Sequence, residues 1–539
     1  MSRQGRVLIV DDEENWRSEP VVTLLRNGYF AQAAASADEA LELLTKDLYH
    51  ILILDIRLED NDPENEDGLK LLQELQNRNL SKAVKIIMLS NNDRPEYMRT
   101  AFRNYGVADF LSKSNFNKKT LLESLEEVFT EKLKINLALD TIWQGNDDEE
   151  NVVVNLAMNG TRVAKGTDLQ QLMWRELDDL LCRLFYDAER VLIHPVTPGQ
   201  SATGVLSVQP FTKAGAKNTV IVKFGSIDKI KQEQANFKEY IEHRIGGGRS
   251  TIVHDLRQTQ HLGGIIYSFV GAANTSPEDF EQFYHHAERT TIKKAIDNLF
   301  HETCGNWYGD KNHLQPLNLT DDYQRLLRFT PERLEQGLQA LSPLVQRGQR
   351  LHFQDLHEER TFTDPVRVTT SRRPLIYSTY TCITHGDLNS HNILLDKNDN
   401  TWLIDFLRTG QGHVLRDLSQ LDSVVRFELL AGHEATLDER LRMEEALCSI
   451  EYFQQLKDLE SRFSTNNAAL DKAYATVLHV RDLAWNILGH KPYDHMNEYY
   501  AALLYHALNT LRFYDLSVVQ REHALLCASL LADKLRLSV

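Results

Sequence analysis

The sequence predicts an α/β protein that begins with a five-stranded, doubly wound (βα)5 domain and continues into a larger mixed α and β region with a helical end. Its 539 residues exceed the roughly 250–300 at which a single hydrophobic core stops growing, so more than one domain is expected. Short apolar runs alternate with helical patterns over residues 6–130, which is typical of a parallel sheet covered by helices. Residues 418–539 are almost entirely helical in pattern.

Composition and charge narrow the class of protein. With 42% hydrophobic and 25% charged residues, the chain matches a folded globular protein. The net charge of −17 disfavours nucleic acid as a partner, since phosphate binding needs a basic surface. No apolar run approaches the ~20 residues that span a bilayer, and the first residues lead directly into a strand, so we expect a cytoplasmic protein without a membrane partner. Five scattered cysteines are expected to be reduced.

Five apolar runs are predicted to form the parallel sheet of the first domain. Their Val, Ile and Leu content suits strands that are buried on both faces, and helical patterns at 37–44 and 69–76 lie between them. The runs are 7–10, 30–33, 51–54, 85–89 and 108–111. In such sheets, functional sites form at the carboxyl ends of the strands.

Polar side chains follow four of these strands at their carboxyl ends. Asp11 and Asp12 follow the first strand, Asp55 the third, Ser90 the fourth and Lys113 the fifth. Three carboxylates at one edge would repel one another unless a divalent cation bound them, and oxygen ligands favour Mg²⁺. A carboxylate beside Mg²⁺ can attack a phosphoryl group whose oxygens are held by a lysine and a hydroxyl. The sequence therefore predicts a phosphoryl-accepting site.

The segments VLIVDDEEN, ILILDIRL, IIMLSNND and ADFLSKS resemble the response-regulator receiver family. The resemblance implies a CheY-like receiver domain at residues 1–133, with Asp55 as the phospho-acceptor and as a ligand of Mg²⁺. It also implies that Asp11 and Asp12 bind Mg²⁺ and that the switch residues are Ser90, Phe110 and Lys113. It also implies a cognate histidine kinase or phosphotransfer protein as partner.

The first domain departs from the receiver pattern at two points. The loop 58–68 is longer and more acidic than usual, and Ser114 stands where the family usually has proline, so no cis-proline is available at that turn. Neither change removes a chemical group from the predicted site.

The joint between the domains is predicted to be helical. Residues 116–139 show apolar spacing typical of a helix, and an acidic turn cluster at 145–151 marks a boundary. Residues 152–187 resume a helical pattern, so 134–187 is predicted to be a helical linker with a lead-in helix. If a homodimer forms, the receiver and this linker helix are the surfaces through which we expect it.

The second region contains residues suited to phosphoryl transfer. The stretch from His385 to Asn392 includes Asp387, and Asp405 follows a predicted two-stranded hairpin with its turn at 396–400. Phosphoryl transfer needs a carboxylate that positions the attacking hydroxyl, together with Mg²⁺ ligands that bridge the nucleotide phosphates. The hairpin returns Asn392 and Asp405 to the same side, so the sequence supplies both requirements.

The pattern HGDLNSHNIL followed by IDF resembles the aminoglycoside and choline phosphotransferase branch of the protein-kinase-like fold. The resemblance implies a bilobal α+β domain at 188–539, with an N-lobe at about 188–270 and a helical C-lobe at about 271–539. It implies that Asp387 is the catalytic base, that Asn392 and Asp405 bind Mg²⁺, and that ATP is the phosphate donor.

Upstream residues fit the same resemblance in chain order. Lys223 lies in a β-rich run at 219–224 and corresponds to the strand lysine that holds the nucleotide phosphates. Glu233, on a predicted helix over 231–245, is the preferred ion-pair partner of Lys223, with Glu239 and Glu242 as open alternatives.

Two further segments are expected to bind the nucleotide. The loop 198–204, which contains Gly199, is predicted to cover the phosphates with backbone N–H groups. The run 264–271, with Ser268 and Val270, resembles the hinge strand whose backbone meets adenine. Asp417 is predicted to be a structural hydrogen-bonding residue.

The sequence therefore predicts an ATP- and Mg²⁺-dependent phosphotransferase regulated by phosphorylation of a receiver aspartate. Its hydroxyl acceptor is not identified, and a small molecule is favoured over a protein. The alternative is a nucleotide-binding pseudokinase that the receiver switches between partners. The sign of regulation is left open.

Overall fold

The computed structural model describes most of the chain. The described residues are 3–59, 65–91, 95–144, 167–195, 203–244, 251–254, 256–269, 277–342, 344–370 and 374–537. They form two compact units: the first comprises 1–234 and 253–268, and the second comprises 235–252 and 269–539. The first unit therefore includes both the predicted receiver domain and most of the predicted N-lobe.

The first unit begins with a five-stranded parallel sheet in the order β2–β1–β3–β4–β5. The strands are β1 (Arg6–Val10), β2 (Phe30–Ala34), β3 (Ile51–Leu54), β4 (Lys85–Ser90) and β5 (Asp109–Ser112). The helices are α1 (Glu14–Arg26), α2 (Ala37–Lys46), α3 (Asp67–Asn77), α4 (Pro95–Tyr105) and α5 (Lys118–Glu127). This arrangement confirms the predicted doubly wound α/β domain.

Both faces of this sheet are buried, as the apolar runs predicted. Leu8 and Leu52 belong to one buried cluster, and Ile9 and Ile53 to another on the opposite face. Because successive side chains of a strand point to opposite faces, a run of apolar residues covers both sides at once.

The joint is less helical than predicted. After α5, one π-helical turn spans Val128–Leu133, and Lys134 then adopts a left-handed conformation with φ of 53°. The predicted helix over 116–139 is therefore wrong beyond residue 133, and so is the helical linker over 134–144. Instead, β6 (Asp140–Trp143) pairs in parallel with β7 (Arg190–Pro195), and this distant pairing requires an extended chain.

The lead-in helix is present in the described part of 152–187. It is α6 (Asp168–Leu184), capped at its start by the Thr167 side chain, and most of its residues are buried. The predicted acidic boundary at 145–151 lies outside the described residues.

A second sheet completes the first unit. Its strands follow the order β13–β10–β8–β7–β6, with β9 beside β8 and β12 beside β13. Helix α7 (Ile227–Asn236) follows β10, and a π-helical turn extends it over Phe237–Ile241. The strands not yet given are β8 (Gly204–Thr212), β9 (Gly215–Ala216), β10 (Val220–Ser226), β11 (Thr251–Val253), β12 (Arg257–Gln258) and β13 (Leu262–Phe269).

The second unit combines small sheets with many helices. Its strands are β14 (Glu278–Asp279), β15 (Gln315–Asn318), β16 (Val345–Arg347), β17 (Leu351–Phe353), β18 (Thr361–Phe362), β19 (Ile376–Thr379), β20 (Thr381–Thr384), β21 (Ile393–Leu395), β22 (Thr401–Leu403) and β23 (Gly410–His413). Its helices up to residue 370 are α8 (Phe280–His286), α9 (Arg289–Asp297), α10 (Gly305–Gly309), α11 (Leu319–Leu327), α12 (Pro331–Gln339) and α13 (Pro365–Thr370).

The last part of the chain is helical, as its pattern predicted. The helices are α14 (Arg416–Ser423), α15 (Leu437–Leu447), α16 (Leu456–Leu459), α17 (Ala468–Leu488), α18 (Asn497–Thr510) and α19 (Val518–Lys534). Among the described residues, none of the helices has the length and apolar character that crossing a bilayer requires.

Candidate functional site

The first candidate site lies at the carboxyl ends of β1, β3 and β4. Carboxylate oxygens of Asp11, Asp12 and Asp55 lie within 4.8 Å of one another. The Ser90 hydroxyl donates to Asp55 Oδ1 at 2.6 Å, and Lys113 Nζ lies 2.5 Å from Asp55 Oδ2. The five residues that the sequence predicted for this edge therefore come together.

Lys113 forms ion pairs with two of the carboxylates. Its Nζ lies 2.8 Å from Asp11 Oδ2 as well as beside Asp55, and its side chain is buried. Burial raises the pKa of Asp11 to about 6, although the hydrogen bond from Lys113 opposes this shift. Burial alone would lower the pKa of Lys113, but the charge of Asp55 and hydrogen bonds to Asp11 and Asp55 raise it. The arrangement favours a charged lysine.

A glycine that the sequence analysis did not single out shapes the same edge. A Cβ on Gly68 would lie 2.1 Å from the Asp55 carbonyl oxygen, which is far inside van der Waals contact. The start of α3 therefore packs directly on the backbone of Asp55. Phe110, the predicted switch aromatic, is half-buried on β5.

The second candidate site lies in the second unit, on the loop between β20 and β21. Gly386 has φ of +76°, and a Cβ there would lie 2.4 Å from the Arg408 carbonyl oxygen. This residue must therefore be glycine for two reasons, the left-handed backbone and the close approach. The turn places Asp387 directly after it.

Asp417 fixes this loop through its carboxylate. It accepts hydrogen bonds from the backbone N–H of His385 at 2.7 Å, from that of Gly386 at 2.9 Å and from the Tyr308 hydroxyl at 3.0 Å. His385 is fully buried, and its Nε2 lies 2.9 Å from the Ile404 carbonyl oxygen. The contacts of Asp417 agree with its predicted structural role.

The hairpin β21–β22 returns the chain to the same place. Ile393 is paired with Leu403, and the Ile404 N–H donates to the Asn392 carbonyl at 3.1 Å. The Asn392 side-chain amide donates to the Asp387 carbonyl at 2.8 Å, so its Oδ1 is the atom that could hold a metal ion. Asp405 is buried with φ of 68°. A non-glycine residue in this conformation stores strain of about 1–3 kcal/mol, which is common at functional sites.

Further polar groups surround Asp387 that sequence reasoning missed. Arg408 Nε lies 3.6 Å from Asp387 Oδ2, and the Gln420 amide lies 3.4 Å from Oδ1. Burial raises the pKa of Glu428 to about 7, opposed by His391 and supported by negative charges that include Asp387. The residue follows the predicted motif by more than twenty positions, so no local pattern marked it.

The predicted lysine–glutamate pair forms in the first unit. Lys223 Nζ lies 2.7 Å from Glu233 Oε2, with the side chains 1% and 0% exposed. The Tyr267 hydroxyl also donates to Glu233. Glu239 and Glu242, the alternative partners, are exposed.

The remaining predicted nucleotide-binding residues are only partly described. Ser268 lies on β13, and its hydroxyl is 2.9 Å from His254 Nε2. Gly199 and Val270 lie outside the described residues.

Two family models match the chain. The response regulator receiver domain model matches residues 7–126, and the model described as Ternary complex associated domain 9 (TCAD9) matches residues 188–328 and 352–512. The first match shows a response regulator receiver domain, which indicates two-component signalling. The second spans more than half of the 539 residues, and the chain belongs to the Ternary complex associated domain 9 family.

Several solved structures resemble the N-terminal part. A CheY-like receiver domain protein from Methanospirillum hungatei JF-1 is 26% identical, covering 24% of this chain and 96% of that one, with a TM-score of 0.22. Chemotaxis response regulator CheY4 of Vibrio cholerae is 30% identical, covering 23% and 98%, with a TM-score of 0.21. NtrX from Brucella abortus, in complex with ADP, is 30% identical, covering 24% and 28%, with a TM-score of 0.21.

The family matches confirm part of the predicted function. The receiver resemblance is confirmed, and a receiver domain implies phosphorylation by a histidine kinase or phosphotransfer partner. The resemblance of the second region to aminoglycoside and choline phosphotransferases stays a prediction. What is established there is a mixed α and β region of the Ternary complex associated domain 9 family.

Proposed function

We propose that the chain is an ATP- and Mg²⁺-dependent phosphotransferase whose activity is set by phosphorylation of Asp55. The observation that supports the enzyme most strongly is the convergence of Asp387, Asn392 and Asp405 on one loop and hairpin of the second unit. Asp387 would accept the proton of an acceptor hydroxyl. Asn392 Oδ1 and the Asp405 carboxylate would hold Mg²⁺, which supplies positive charge to the nucleotide phosphates when bound.

The lysine–glutamate pair of the first unit supports the same proposal. A lysine and a glutamate that are both fully buried are costly to maintain unless they are paired, and their 2.7 Å separation gives a fixed lysine position. Lys223 would hold the nucleotide phosphates, and Glu233 would orient it.

The metal claim is tested by comparing two aspartates of one hairpin. Asp405→Asn should weaken Mg²⁺-dependent ATP binding in calorimetry by at least about tenfold, because charge and ligand are lost together. Asp399→Asn is the matched control, since Asp399 has a similar φ of 60° but lies in the turn, paired with Lys294. Equal affinity in both variants would contradict the metal site.

The transfer step needs a separate assay. Labelled ATP should yield labelled product in a screen of hydroxyl-bearing metabolites, and Asp387→Asn should abolish transfer while it preserves ATP binding. Binding without transfer to any acceptor, in the wild type, would favour the pseudokinase alternative.

The receiver proposal assigns the acceptor atom to Asp55. Its carboxylate lies beside two further carboxylates, a lysine and a hydroxyl, which would hold Mg²⁺ and the incoming phosphoryl oxygens. Acetyl phosphate with Mg²⁺ should give a hydroxylamine-labile label that Asp55→Asn abolishes. The exposed Asp38 supplies the control, because Asp38→Asn should leave the label intact. A label that persists on Asp55→Asn refutes the assignment.

A further inference from the structure

A basic cavity lies within the first unit, where the receiver domain meets the second sheet. Its volume is about 370 Å³, and six of its ten lining residues are basic. They are Lys82, Lys85, Lys132, Arg183, Lys231 and Arg257. Within the described part of the chain, no carboxylate lines this cavity. Such a concentration of positive charge contrasts with the net charge of −17 for the whole chain.

Most of these basic groups have no counter-charge within the described structure. Lys82, Lys85, Lys132 and Arg257 form no ion pair with any residue in the described ranges. Burial lowers the pKa of Lys85, and the positive charges of Arg183, Lys82 and Lys132 lower it further. Like charges held together without carboxylates destabilise the fold unless an anion reaches them.

Arg183, one of the lining residues, carries a buried donor. Only 3% of this residue is exposed, and its Nε pairs with Asp179 at 2.7 Å. Its Nη1 donates to the carbonyls of Ala83 at 2.9 Å and of Gln258 at 3.2 Å. Its Nη2 has no hydrogen-bond partner among the described residues. A buried guanidinium N–H without a protein acceptor is normally satisfied by an ordered water or an ion.

Gln258 adds a second unsatisfied group on the same wall. Its amide nitrogen donates to the Asn79 carbonyl at 3.1 Å, but its Oε1 has no partner in the described structure. An amide oxygen accepts from a ligand hydroxyl or amine and does not bind an anion itself. The cavity therefore offers several cationic donors and one neutral acceptor.

We propose that this cavity binds a small molecule carrying two or more phosphate groups. Several lysines and one Arg183 N–H have no partner among the described residues, so the cavity favours a ligand with more than one negative charge. Phosphate oxygens match both lysine and arginine donors. The neutral acceptor suits a ligand that also has a hydroxyl, as a nucleoside diphosphate does. Inorganic pyrophosphate shares the same charged group and is the simpler source.

The bound anion would link the receiver to helix α7. Lys85 begins β4 and Lys132 follows α5, whereas Lys231 and Gln234 lie on α7. Glu233, the partner of Lys223, belongs to the same helix. The ligand would therefore act as an effector that fixes α7 against the receiver domain. None of the residues proposed to hold the nucleotide or Mg²⁺, Lys223, Asn392 and Asp405, lines this cavity.

The test is calorimetry on the full chain in EDTA, with inorganic pyrophosphate and ADP as the two probes. Omitting Mg²⁺ suppresses binding that depends on Asn392 and Asp405. The double variant Lys82→Glu with Lys132→Glu should weaken binding at least about tenfold, since two attractive charges become repulsive. The control is Lys46→Glu with Lys119→Glu, an equal charge change at side chains that are 65% and 84% exposed.

Each outcome supports or overturns the proposal. Binding of both probes, or of ADP alone, supports the proposal if it is lost in the cavity variant and kept in the control. Comparison of the two probes then shows whether the nucleoside or only the phosphate groups are recognised. The proposal is overturned if neither probe binds the wild type at about 1 mM, the weak end of measurable affinity. It is also overturned if both double variants lose affinity equally, which would indicate general attraction. ADP binding that survives in the cavity variant but not in Asp405→Asn would place the ligand at the other site.

Discussion

Removing the charge of Asp179 should destabilise the joint between the receiver domain and α6. Asp179 Oδ1 lies 2.6 Å from His50 Nε2, and Oδ2 lies 2.7 Å from Arg183 Nε. All three side chains are at most 4% exposed. In Asp179→Asn the neutral amide remains, but the Arg183 charge stays buried without its counter-ion.

Two estimates bracket the loss. Burial opposes the shift, but the charge of Arg183 and the hydrogen bonds from His50 and Arg183 lower the pKa of Asp179 to about 2 from its usual 3.8, which corresponds to about 2 kcal/mol. Removing one partner of a buried ion pair typically costs about 3–5 kcal/mol. We therefore expect a local free-energy loss of about 2–5 kcal/mol.

Hydrogen exchange followed by mass spectrometry measures this loss peptide by peptide in the whole chain. A loss of 2 kcal/mol should raise exchange about 30-fold in β3 and α6. Asp178→Asn is the control at the neighbouring position, because its pair with Arg3 is 21% and 30% exposed and therefore more screened by solvent. If the two variants change protection equally, the buried-charge argument is refuted.

Three further outcomes are expected. Because folding lowers the pKa of Asp179, its carboxylate stabilises the fold above about pH 4, and this contribution is lost as the pH falls toward about 2. In acid unfolding, the wild type should therefore lose more stability than Asp179→Asn does. Gly386→Ala should lower the Tm and abolish transfer through its clash with the Arg408 carbonyl, whereas Gly309→Ala, with open space around it, should not. Asp417→Ala should cost about 1–3 kcal/mol in thermal unfolding by stranding buried N–H groups, and an unchanged Tm would contradict its anchoring role.

The receiver site could be predicted because its geometry follows from a local rule. Strand β3 is a run of four buried apolar residues, so Asp55 must follow it at the carboxyl end of a parallel sheet. Asp11 and Ser90 end neighbouring strands for the same reason. The hairpin that returns Asp405 to Asn392 was predictable too, since a short turn joins two apolar runs.

The joint could not be predicted because it depends on distant contacts. The apolar spacing of α5 continues past Leu133, but pairing of β6 with β7 takes the chain into an extended form. His50 and Asp179 are 129 residues apart, and neither belongs to a motif. The sequence left three glutamates as partners of Lys223. Helix α7 begins at Ile227, and in this helix the buried Glu233 side chain contacts Lys223.

The position of the joint constrains how phosphorylation can act on it. Asp55 follows β3, whereas His50 precedes the same strand, so the two are about 16 Å apart at the usual rise of 3.3 Å per residue. Ala83 and Lys85 likewise stand at the amino end of β4, and Ser90 at its other end. A change at Asp55 must therefore be transmitted from the carboxyl end of the sheet to its amino end.

The strands are buried on both faces and cannot shift without repacking the core, which leaves the helical layer as the easier path. Helix α5 fits this path, because Phe129 in the turn that follows it packs edge-to-face on the His50 ring at 5.5 Å. The proposed regulation would therefore not need the predicted continuous helix, because a route through α5 ends at the His50–Asp179 pair.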